Sequence, residues 1–437
     1  MPRTLPSSAS ASVTNKRNNK QNNNNNNNKI IRQSEELKDQ VHSHAARTDE
    51  NFKVGVEIEI CLIDANGAPV DARPVIEFLR HYHDIDYEYG ICQLEYRTKP
   101  ISFEYLARLN SQFEEFIEHL ELSIDKIYKH NVFPVFLGSN PSPQILKDGL
   151  ITNKPRYRRL ARWQNKIPDV EIDGQMFKAL HVATAIQGFH LHLQGRNPNF
   201  TSQMFNHILN LIPSAILLGA NSRLFAGRVF SLHEPRIYLY DQTEQQNSGF
   251  PGISKYLGGV EDYIDYIISR KPMIANDYFE MEKERHDDTR IRLSTGFYRV
   301  ETRVMSVQPT TKSMMAMIEF FTGYLHKAIH EERMLRPLSA IREERQAVIR
   351  SGFNAKTHFN IIETVRNQIA YARKGLSDLG IKPDFLYILE ERLENKTTAG
   401  EYVARLWQTK FNGSIEQTLQ EVLSDIWERT KHNQPIF

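Results

Sequence analysis

The sequence predicts an α+β protein, an antiparallel sheet packed on helices with a mostly helical region from about residue 340 to the end. Three observations carry this. Segments with strand alternation occur early, in the middle and late in the chain. Helical periodicity fills the intervals in pairs, without the regular βαβ rhythm of a parallel sheet. The last hundred or so residues carry apolar stripes on polar helices.

The elements follow in order. Residues 1–50 are Ser/Ala-rich, then basic (Lys16, Arg17, Lys20, Lys29, Arg32) around an unbroken run from Asn22 to Asn28. Almost nothing there buries area against chain entropy, so a disordered Asn-rich tail is expected, either a solvated extension or a nucleic-acid-binding arm. The folded body, 51–437, opens with a strand from Phe52 to Ile63 and a turn at 64–67. Glu104 to Ile127 is an amphipathic helix. Val132 to Leu137 is a buried strand closed by the loop at 138–143. Ala183 to Leu193 reads as a strand ended by Gly195. Helices follow over Ser202 to Leu218 and Gly259 to Ser269, then a strand over Gly296 to Val307 and a helix over Thr311 to Glu332.

Composition narrows the function. With 40% hydrophobic and 25% charged residues, the 437-residue chain is ordinary globular protein. Lys+Arg 55 against Asp+Glu 53, net charge +2, excludes chain-wide binding of nucleic acid or a membrane surface. Cys61 and Cys92 are the only cysteines and read as core thiols, not a disulfide framework or zinc module. The most apolar runs, Ile208 to Ala220 and Met314 to Leu325, fall short of the roughly 20 residues that cross a bilayer. With no secretory signal read at the N-terminus, a soluble cytoplasmic protein is expected. A homo-oligomer stays open.

Four strand-like segments share a peculiarity, because residues i and i+2 of a strand point to one face. Val56, Ile58 and Ile60 oppose Glu57 and Glu59. Leu94 and Tyr96 oppose Gln93, Glu95 and Arg97. Phe189, Leu191 and Leu193 oppose His190, His192 and Gln194. Val300, Thr302 and Val304 oppose Glu301 and Arg303. If these strands are neighbours, Glu57, Glu59, Glu95 and Glu301 converge. Crowded carboxylates raise one another's pKa unless cations hold them, and an oxygen-rich set with a histidine suits Mg²⁺ or Mn²⁺.

The strings Gly55-Val-Glu-Ile-Glu59, Gln93-Leu-Glu-Tyr-Arg-Thr-Lys-Pro100, Gly188-Phe-His-Leu-His192 and Val300-Glu-Thr-Arg303 resemble the glutamate–cysteine ligase family, in its carboxylate–amine ligase branch. Gly138-Ser-Asn-Pro141, Arg156-Tyr157, Gly219-Ala-Asn-Ser222 with Gly227-Arg228, and the segment 345–352 fit the same order, so the resemblance runs from about 52 to 355. It implies a glutamine-synthetase-like fold, a curved antiparallel sheet whose concave face holds metals and ATP. It implies that a carboxylate attacks the γ-phosphate of ATP to give an acyl phosphate, and that an amine then forms the amide. Glutamate and cysteine are the substrates implied, giving γ-glutamylcysteine. Metal roles fall to Glu57, Glu59, Glu88, Glu95 and Glu301. Glu88 lies seven residues before Glu95 on the opposite strand parity, so it needs a bulge or loop. His190, then His192, and Arg228 fall to the nucleotide, while Arg303 and Glu301 fall to the transferring phosphoryl. His192-Leu-Gln-Gly195 and Asn221-Ser-Arg223 depart from the branch, in its substrate loops. There is no Walker-type loop, so ATP rests on the resemblance and the metal cluster. The alternatives are a ligase with other substrates, or a hydrolase in which the Glu/His set activates water.

Overall fold

Burial of one face per strand organises the molecule. The computed structural model describes residues 9–44, 52–195, 197–244, 247–294 and 297–437. Among the described residues, eight strands form the main sheet: β1 (Lys53–Asp64), β2 (Asp84–Tyr87), β3 (Gln93–Arg97), β4 (Ile101–Ser102), β5 (Val132–Val135), β6 (Gly188–Gln194), β7 (Thr289–Ser294) and β8 (Phe297–Ser306). Their order is β7-β8-β6-β1-β3-β2, with β4 and β5 also paired to β1, and every pairing is antiparallel.

The register aligns the apolar rows. Val56 stands opposite Leu191, Ile58 opposite Phe189 and Tyr96, Ile60 opposite Leu94, and Val300 opposite Leu193. All are buried, in one core with Met204, Ile208, Leu211 and Ala215 of the Pro198–Gly219 helix. Each such side chain is worth about 1.5–3 kcal/mol relative to exposure. A bulge interrupts β8: Thr302 faces Leu191 but Met305 faces Phe189. The extra residue reverses the alternation, so Met305 takes the apolar face and Ser306 the polar one.

The structure differs from the sequence reading in three places. Ala183 to Leu193 is not one strand: Ala179–Ala185 is a helix and the strand begins at Gly188. A Cβ there would stand 2.6 Å from Arg236 Nη2 and overlap the His190 ring, so any larger residue would displace those two side chains. Strands β2 and β7 and the helices Pro155–Gln164 and Pro235–Glu244 were not anticipated. Where a disordered tail was expected, Ala9–His44 is helical, while residues 1–8 and 45–50 lie outside the described residues. Ile30, Ser34, Leu37, Val41 and His44 are buried at alternating spacings of four and three, a single helical stripe. It packs on the helices Val260–Ile268 and Tyr278–Lys283, with Lys29 Nζ 3.0 Å from Asp277 and Lys38 paired to Asp265. The Asn run dominates the composition, and the stripe starts only after it. Among the described residues, no helix is long and apolar enough to cross a membrane.

The helices Thr311–His330 and Ile361–Asp378 meet backbone to backbone at Gly323 and Gly375. A Cβ on Gly375 would overlap the Gly323 carbonyl. Gly375→Ala is therefore expected to destabilise the protein by about 1–3 kcal/mol through overpacking. Chemical denaturation measures this, and wild-type stability in the variant would contradict the close contact.

Candidate active site

The same register that buries the apolar rows gathers the polar ones. Glu59 faces Glu95, which also faces Asp86; Glu57 faces His190 and Arg97; Glu301 faces His192 and Arg290. These residues line one cavity of about 350 Å³. His192 instead lines a second, of about 540 Å³, which shares Glu57, Arg97 and Arg299 with the first.

Charge is segregated across this face. On β1, β3 and the end of β2 lie carboxylates. Glu59, Glu88 and Glu95 each bring an oxygen within 4.8 Å of the others. Glu88 does so from the residue after β2, where its Oε2 accepts from the Tyr89 amide at 3.0 Å, which resolves its strand parity. Glu59 Oε2 accepts from the Gly188 amide at 2.6 Å. Burial and the Glu59 charge push Glu88 up to about 7. Burial, with Glu88 and Glu57 close by, holds Glu95 well above the usual carboxylate range, against its pairing with Arg97.

On β7 and β8 lie guanidinium groups. Arg290 grips Glu301 with two bonds, Nε to Oε2 at 2.9 Å and Nη2 to Oε1 at 2.8 Å, and Arg303 bonds the same carboxylate. Burial alone would raise Glu301; Arg290 and Arg303 hold it well below its ordinary value. Arg303 Nε is buried without a hydrogen bond. Arg292 and Arg299 line the same side.

The histidines stand on the seam. Arg303 Nη1 lies 3.4 Å from His190 Nδ1, and Arg299 Nε donates to His192 Nδ1 at 3.2 Å. Each Nε2 faces a carboxylate: His190 at 3.7 Å from Glu59 Oε1, His192 at 3.3 Å from Glu57 Oε1, neither with hydrogen-bond geometry. Burial, then Arg303, lowers the His190 pKa. Glu57, His192 and Glu301 form a second group with atoms within 4.8 Å. Burial would raise Glu57, but His192 and His190 beside it hold it well below the usual range.

The donor set fits a divalent cation best at Glu59, Glu88 and Glu95. Three carboxylates there repel one another, Arg97 pairs directly with Glu95, and an all-oxygen cradle suits Mg²⁺ or Mn²⁺. In the second group Arg290 already occupies both oxygens of Glu301.

Of the residues expected at the site, Arg228 does not join the others. It is exposed on the two-residue strand Arg228–Val229, its Nη1 3.5 Å from Gln175 Oε1, and lines neither cavity. The tight hairpin at Ala226 and Gly227, both at positive φ, carries it outward. Sequence reasoning missed Arg290 and Arg292, although Thr289-Arg-Ile-Arg-Leu293 alternates like the other strands. It also missed Arg236, Tyr240 and Glu244, which line the cavity from one helix at four-residue spacing. Arg345 Nη1 and Nη2 hold Asp241 of that helix at 2.5 and 2.9 Å, and its Nη2 and Nε hold Asp288 beside β7, at 2.7 Å for Nη2.

A family model described as glutamate-cysteine ligase family 2 matches residues 53–371. No curated protein matches the chain. A bifunctional glutathione synthetase from Pasteurella multocida shares the fold with a TM-score of 0.61 at 16% identity, over 90% of this chain and 54% of that one, so this chain spans about half its length. A glutamate–cysteine ligase from Francisella tularensis, solved in complex with AMP, matches with a TM-score of 0.58 at 10% identity, over 88% of this chain and 90% of that one. At these identities the likeness concerns the fold, which is the glutamine-synthetase-like antiparallel sheet with a helical C-terminal region.

A cation held in the carboxylate cradle would bind the folded chain and not the unfolded one. Saturating Mg²⁺, at about 100 times its dissociation constant, then adds about 2.7 kcal/mol of stability. Thermal unfolding should show this rise in the wild type and its loss in Glu95→Gln. An equal Mg²⁺ effect on both proteins would remove Glu95 from the cradle.

Proposed function

The chain belongs to glutamate-cysteine ligase family 2, and from that premise we propose that residues 51–437 form the catalytic unit of an ATP-dependent carboxylate–amine ligase joining glutamate to cysteine. The observation that supports this best is the division of one cavity into a carboxylate half and a guanidinium half. Phosphoryl transfer between oxygens asks for charge neutralisation and positioning more than for covalent help. A polyphosphate laid across the seam meets both needs. The AMP held by the Francisella ligase of the same fold supports an adenine nucleotide.

The residues then divide the work. Glu59, Glu88 and Glu95 would hold Mg²⁺ or Mn²⁺, while Glu57 stands with His192 and Glu301 in the second group. The bound ion supplies positive charge to the phosphate oxygens. Glu301, held by Arg290, fixes Arg303 in the cavity wall. The free Nε–H of Arg303 and its planar fork donate to oxygens of the transferring group. His190 and His192 link arginines to carboxylates and keep the two halves in register. The substrate carboxylate oxygen attacks the γ-phosphorus and ADP leaves. The amine, having lost a proton, attacks the acyl carbon and phosphate leaves, carrying the carboxylate's oxygen. The direct test supplies purified protein with ATP, Mg²⁺, glutamate and cysteine. Stoichiometric ADP and γ-glutamylcysteine are expected; ADP release with no amide would favour the hydrolase alternative.

Arg303→Lys keeps the charge and loses the fork. Losing a donor that acts in the transition state costs about 100- to 1,000-fold in turnover. Steady-state kinetics should show kcat falling with a smaller change in the KM for ATP. A raised KM at normal kcat would assign Arg303 to ground-state nucleotide binding instead.

A further inference from the structure

One end of the cavity has a chemistry that phosphate binding does not use. Glu244 closes the helix Pro235–Glu244 and is 1% exposed. Its Oε1 accepts from Gln164 Nε2 at 3.0 Å, and Gln164 Oε1 accepts from the Tyr89 hydroxyl at 2.7 Å. Its Oε2 has no hydrogen-bond partner. His286 Nδ1 stands 3.7 Å from that oxygen, beyond a hydrogen bond, and it too has no hydrogen-bond partner. The His286 ring stacks on Tyr240, centroids 5.5 Å apart at 23°. All five side chains belong to the cavity wall.

Two unpartnered buried polar atoms this close cost free energy unless a ligand satisfies them. Burial pushes the Glu244 carboxyl up to about 7, so a cationic partner is what would favour its charged form. Burial and the charges of Arg303 and Arg290 keep His286 well below its ordinary pKa, so the neutral ring offers a lone pair. The missing partner is therefore a donor with several hydrogens. A primary ammonium provides three and carries the complementary charge, whereas the arginines nearby suit the carboxylates of the same zwitterion.

We propose that Glu244, backed by Gln164 and Tyr89, and His286 bind the primary ammonium group of an amino-acid substrate. This rests on the ligase reading and specifies how the cavity tells an amino acid from a plain carboxylic acid. The ammonium belongs either to the carboxylate substrate or to the attacking amine.

Calorimetry on the whole chain with Mg²⁺ and a non-hydrolysable ATP analogue tests it, using L-glutamate, glutarate and L-cysteine. A charged hydrogen bond predicts that wild type binds glutamate about 10- to 150-fold tighter than glutarate, and that Glu244→Gln brings the two within a few-fold. If the glutamate-to-glutarate ratio holds but cysteine affinity falls by that factor, the site serves the attacking amine. Unchanged ratios and unchanged cysteine affinity, or no binding of either amino acid to wild type, overturn the proposal. His286→Asn, expected to act in the same direction by a smaller factor, judges it if Glu244→Gln does not fold. A separate assay of ATP-dependent amide formation judges the ligase reading: glutamate preference without amide formation leaves the ammonium site standing and removes the ligase.

Discussion

A carboxylate buried beside other carboxylates is stable only when cations share the space, and this constraint shapes the sheet. Glu57, Glu59, Glu95 and Glu301 reach one cavity because successive strand residues alternate faces while the apolar rows are pinned beneath helices, and Glu88 joins them from just past the end of β2. Slipping any one strand by a residue would bury its charges and expose its core. The hydrophobic register and the active-site register are therefore the same thing. The protein answers the charge on one side with Arg290 and Arg303 on Glu301, and leaves Glu88 and Glu95 with raised pKa values on the other. That asymmetry leaves carboxylates crowded on one side of the cavity and guanidinium groups on the other.

Rigid support lies behind the guanidinium half. Arg345, fully buried, ties Asp241 on the helix that carries Arg236, Tyr240 and Glu244 to Asp288 at the start of β7. The Asp288 carbonyl in turn accepts from the Arg303 amide at 2.8 Å, next to the bulge. Removing one partner from such a buried ion network is strongly destabilising, so the network fixes the helix and the arginine strand as one unit. The Arg345 segment of the family resemblance thus has a structural use at some remove from the chemistry.

Much of the site was legible because alternation is local. Val54 to Ile60 and Gly188 to Leu193 declare both faces within a few residues, and the carboxylates and histidines named from them do meet. Arg290 and Arg292 were equally legible in Thr289-Arg-Ile-Arg-Leu293, but no metal chemistry drew attention to a strand of arginines. Glu88 was readable only as an exception to parity. Glu244 and His286 were not readable, since their proximity depends on how a helix end and the two-residue strand His286–Asp287 meet across the fold. Arg228 fitted the family order yet sits on an outward hairpin, because order along the chain does not say which way a turn points. The N-terminal helix was hidden by an asparagine run that outweighed five stripe residues.

The central claim is that the divided cavity transfers phosphate to a carboxylate. Glutamate labelled with ¹⁸O in its γ-carboxyl, incubated with ATP, Mg²⁺ and cysteine, tests it most directly. An acyl phosphate requires one labelled oxygen to appear in the released inorganic phosphate for each amide formed, as mass spectrometry of the phosphate would record. Unlabelled phosphate, with its new oxygen drawn from water, would contradict the account.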